Sequence, residues 1–93
     1  MTVSLVEIYR SFEYSNQVGS AKFRLRDVLV NPDHVVYLRD DSQMGQLLNE
    51  GNLPEGLDNR QEFTRVFTSK SEFVVVGSTN AVQKKLFKNI LKG

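Results

Sequence analysis

The last third of the chain constrains the fold most. Residues 63–91 read as strand, turn, strand, cap and helix, and each local signal agrees with the next. FTRVFT (63–68) and EFVVV (72–76) are rich in β-branched and aromatic residues. Ser69, Lys70 and Ser71 join them, a length that suits a tight hairpin. Three consecutive valines, Val74 to Val76, predict burial on both faces of a sheet. Gly77 ends that strand and Ser78 offers an N-cap. In the helix that follows, Val82, Leu86, Phe87, Ile90 and Leu91 span an arc of about 180°, with Gln83 the polar residue inside it. Lys84, Lys85, Lys88 and Lys92 fall on the opposite side. So wide an arc implies a helix set deep against a curved sheet, or one shared with a second chain.

The remaining segments complete an α+β pattern. Residues 2–14 predict a strand with apolar residues on both faces at its start. Residues 21–30 alternate, with Phe23 and Leu25 on one side and Lys22, Arg24 and Arg26 on the other. The turn between them, residues 16–20, contains Gly19, so the two strands form a hairpin. Asn31, Pro32 and Asp33 turn the chain into a third strand, HVVYLR (34–39), apolar enough to predict a central position. Asp41 or Ser42 then caps a short helix of about two turns, limited by Gly45 and Gly51, with Met44, Leu47 and Leu48 on one helical face. The expected fold is a mainly antiparallel sheet of five strands, a C-terminal amphipathic helix and a short helix in an insert, residues 40–62.

That insert is acidic. Asp40, Asp41, Glu50, Glu55, Asp58 and Glu62 face Arg60 as its single base, in a chain whose net charge is +1. The separation of charge can orient the molecule on a partner or on another copy of itself. Ninety-three residues make one domain, 1–93, near the lower end of what buries a core unaided. No apolar run approaches the roughly 20 residues of a membrane span. No basic segment leading into an apolar core marks a secretory leader, and there is no cysteine, so the expectation is cytoplasmic, in a bacterial or phage-infected cell. With one histidine and no cysteine the usual zinc sites are excluded, and neither metal nor cofactor is expected.

Catalytic patterns are weak. Asp33 and His34 stand at one end of the third strand, Asp40 and Asp41 at the other, about 20 Å apart. No GxSxG elbow and no phosphate-binding glycine loop occurs. Two binding functions are better supported. A protein partner would meet Met44, Leu47, Leu48, Leu53 and Leu57, which are either contacts or anchors of the insert to the core. Changing Leu47 and Leu48 to Asp should then abolish capture and leave the fold intact. An exposed edge strand near Thr2, or the C-terminal helix, would also admit a partner or a second copy. The alternative is a DNA- or RNA-binding regulator using Lys22, Arg24 and Arg26 on a strand and Lys84, Lys85 and Lys88 on the helix, with Tyr9, Phe12, Tyr14 or Tyr37 stacking on bases.

The run Val30-Asn31-Pro32-Asp33-His34-Val35-Val36, with Thr64-Arg65-Val66 and with Phe73 to Ser78 leading into Ala81-Val82, resembles FlbD-like proteins. These are small chains encoded near flagellar genes and also carried by bacteriophages. The resemblance covers residues 30–39 and 63–91. It implies a non-enzymatic role, and with it a phage-encoded modulator of a host protein. A fainter similarity, to RemA-like DNA-binding regulators, leaves only Arg60 and Arg65 of the arginine cluster those proteins use.

Overall fold

The computed structural model of the protein describes residues 2–12, 21–49, 57 and 60–87. Five strands form one sheet: β1 (Val3–Phe12), β2 (Ala21–Val30), β3 (Val35–Asp40), β4 (Phe63–Thr68) and β5 (Glu72–Val76). Their order across the sheet is β2-β1-β5-β4-β3, and every neighbouring pair is antiparallel. Two eight-residue helices complete the fold, α1 (Ser42–Asn49) and α2 (Thr79–Leu86). The α+β class and the five strands expected from the sequence are therefore present.

Each face of the sheet buries its own apolar cluster. On one face Leu5, Val30, Val66 and Val75 pack with Val82 and Leu86 of α2, flanked by Val28, Val35, Leu38, Phe73 and Phe87. On the other, Ile8, Phe63 and Val74 pack with Leu48 of α1, flanked by Phe23, Leu25, Met44, Leu57 and Val76. Adjacent residues Val74 and Val75 thus serve different clusters, as the period of two along a strand requires. The valine run of β5 is buried from both sides, and β5 occupies the middle of the sheet.

Two expectations are corrected here. The third strand is an edge, not a central strand. Its apolar run is broken by a register shift between Val35 and Tyr37. This bulge leaves Val36 65% and Tyr37 50% exposed. The strand near Thr2 is interior in the sheet order, since β1 lies between β2 and β5, although its pairing with β5 is confined to Glu7 and Ile8 and the part near Thr2 pairs with β2 alone.

Local chemistry fixes the junctions. Asn31 Oδ1 accepts the Asp33 N–H at 3.0 Å and starts the 3-10 turn Pro32–His34 that leads into β3. Ser78 Oγ accepts the Ala81 N–H at 3.1 Å and caps α2. Just before it, Gly77 adopts φ 127°, which a side chain would strain. Its N–H donates to Glu62 O at 2.8 Å, and its carbonyl accepts the buried Thr64 hydroxyl at 2.9 Å. The start of β4 is thereby tied to the end of β5.

Candidate interaction surface

The short helix does not present its leucines together. Leu48 is 1% exposed and Met44 and Leu57 are partly buried in the same cluster, whereas Leu47 is 49% exposed. Leu48 is therefore a core residue and not a partner contact, and an Asp there would break the fold rather than spare it. Only three to four residues per two turns can face one sheet, and Leu47 lies one step round from Leu48. Leu53 lies outside the described residues.

Arg26 of the first basic stripe is committed within the sheet. Arg26 pairs with Glu7 across β1 and β2, Nε to Oε1 at 2.9 Å, with Nη2 at 3.4 Å from Oε2. Its guanidinium lies 4.1 Å from the centre of the Tyr9 ring. The hydrogen bond to Glu7 raises the Arg26 pKa. The same contacts cover one face of Tyr9, which nucleic-acid stacking would need. Arg24 is exposed beside Arg26, and Lys22 sits opposite Ser11 in the register. Lys84 and Lys85 are exposed on α2. Lys88 and Tyr14 lie outside the described residues.

A different constellation emerges where β3 meets β4. The register sets Tyr37 opposite Phe67 and Arg39 opposite Arg65, so these four share the α1 face. The rings of Tyr37 and Phe67 stack at 4.1 Å with an interplanar angle of 17°. Arg39 lies over the other residue of that pair, 5.3 Å from the Phe67 ring centre. Arg65 is held by Asp41, with Nε at 3.2 Å and Nη2 at 2.9 Å from Oδ2. Its Nη1 is 3.8 Å from Glu72.

Asp41 is the junction of the site. It is 8% exposed, yet both oxygens are used. Oδ2 accepts from Arg65, and Oδ1 accepts the Met44 N–H at 3.1 Å, capping α1. One carboxylate thus fixes the helix against β4 and neutralises the arginine beside it. Arg39, Asp41, Ser42, Gln43, Arg65 and Glu72 line an open cleft of about 510 Å³ next to the stacked rings. The cap at Asp41 is legible in the sequence. The stack and the Arg65 pair are not, since both depend on which residues of β3 and β4 face each other.

The backbone of β3 adds a second element. Asp41 N donates to Phe63 O at 2.9 Å, which makes this a hydrogen-bonded position of the β3–β4 ladder. Such positions alternate, so Arg39 and Tyr37 point their backbone groups at β4. Leu38 and Asp40 point theirs away from β4, at an edge that no other described strand covers.

Among the described residues no three of His, Asp and Glu come together as a metal site, and no helix is long and apolar enough to cross a membrane. Asp33 and His34 precede β3 while Asp40 ends it, so the two groups of acids stay apart. No family model matches the chain, and no curated protein or solved structure is significantly similar to it.

Proposed function

We propose that this domain is a non-enzymatic binding module that accepts an extended protein segment along β3. The observation behind this reading is the edge of that strand, which no described strand pairs, with Leu38 and Asp40 offering backbone donors and acceptors. Main-chain pairing at such an edge supplies affinity, and side chains alternating on either face supply specificity. Beside the edge stand Val36 and Tyr37, the Tyr37–Phe67 stack and Arg39, residue types that dominate protein interfaces. The charges around them are mixed, Arg39 and Arg65 with Asp40, Asp41 and Glu72. Mixed charge suits a protein segment better than a polyphosphate backbone, which calls for basic residues alone.

The FlbD-like resemblance falls on β3, β4, β5 and α2, the elements that frame this edge. A phage-encoded modulator acting on a host protein in the cytoplasm is the form of the proposal that this resemblance suggests. A DNA- or RNA-binding regulator is the competing outcome.

A pull-down from bacterial lysate with the tagged chain, with and without nuclease, separates these. A protein retained after nuclease, lost in Val36→Lys while circular dichroism is unchanged, supports strand acceptance. Slowed amide exchange at Leu38 and Asp40 in that complex would localise it. Loss of all retained material on nuclease treatment transfers the assignment to nucleic acid. Retention indifferent to Val36→Lys removes β3 as the surface.

A further inference from the structure

We draw no further inference here: the strongest candidate, the cleft of about 570 Å³ between the end of β2 and the β4–β5 turn, where Val28, Val30 and Phe73 lie beside His34 and Lys70, carries nothing because nothing in the structure shows what covers it.

Discussion

The two faces of the sheet start from similar patterns and end differently. On the α2 face, apolar residues from all five strands meet Val82 and Leu86, and the charged group at its far end, Glu7 with Arg26, is closed by the Tyr9 ring. On the α1 face, the helix covers Ile8, Phe63 and Val74 and Asp41 holds a half-buried Arg65, while Tyr37 and Arg39 stay exposed. Both helices are eight residues long, about 12 Å, too short to span a five-stranded sheet. What differs is the chemistry of the uncovered part. One face ends in a satisfied ion pair. The other ends in stacked rings beside a strand edge that no other described strand pairs, and this asymmetry makes the second face the candidate surface.

The contrast can be broken by substitution. Phe63→Ala should cost about 3–5 kcal/mol in chemical denaturation, and Leu86→Ala about 2–5 kcal/mol, since each empties the centre of one cluster. If either change were nearly neutral, its face would not be the closed layer described above. Asp41→Ala should cost about 2 kcal/mol by removing a helix cap and stranding a half-buried arginine. Asp41→Asn retains a capping oxygen and should cost less, so the difference measures what the Arg65 pair adds. Ser78→Ala, on the closed face, should cost about 1 kcal/mol, the ordinary value of a lost cap. Tyr37→Ala should change stability by under about 1 kcal/mol despite removing an aromatic ring, because that ring is half in solvent. Its effect should fall instead on partner capture. A large loss of stability from Tyr37→Ala would mean that the stack is part of the core.

Much of this architecture is legible in the chain itself. The alternation of residues 21–30, the hairpin of residues 63–76, and the caps at Asp41 and Ser78 are local, and local patterns determine local structure. Which strands become neighbours is not local. Val35, Val36, Tyr37 and Leu38 read as a buried run, because periodicity cannot distinguish a central strand from a bulged edge. Leu47 and Leu48 read as one surface, though one step round a helix separates core from solvent. The Arg65–Asp41 pair and the Tyr37–Phe67 stack join residues 24 and 30 positions apart, through the register of β3 on β4. A surface built from such pairs has no signature in linear spacing.

The strand order also bears on how the protein is made. β1 pairs with β2, its neighbour in the chain, but also with β5, which lies almost at the far end of the described residues. During synthesis the first hairpin must therefore wait, its inner edge bare around Ile8, until Val74 and Val75 have left the ribosome. Closing the central seam of the sheet joins the early hairpin to the late meander through contacts distant in sequence, which are the slow ones to form. Slowing elongation through the intervening residues would lengthen the interval in which that edge is open to other nascent chains.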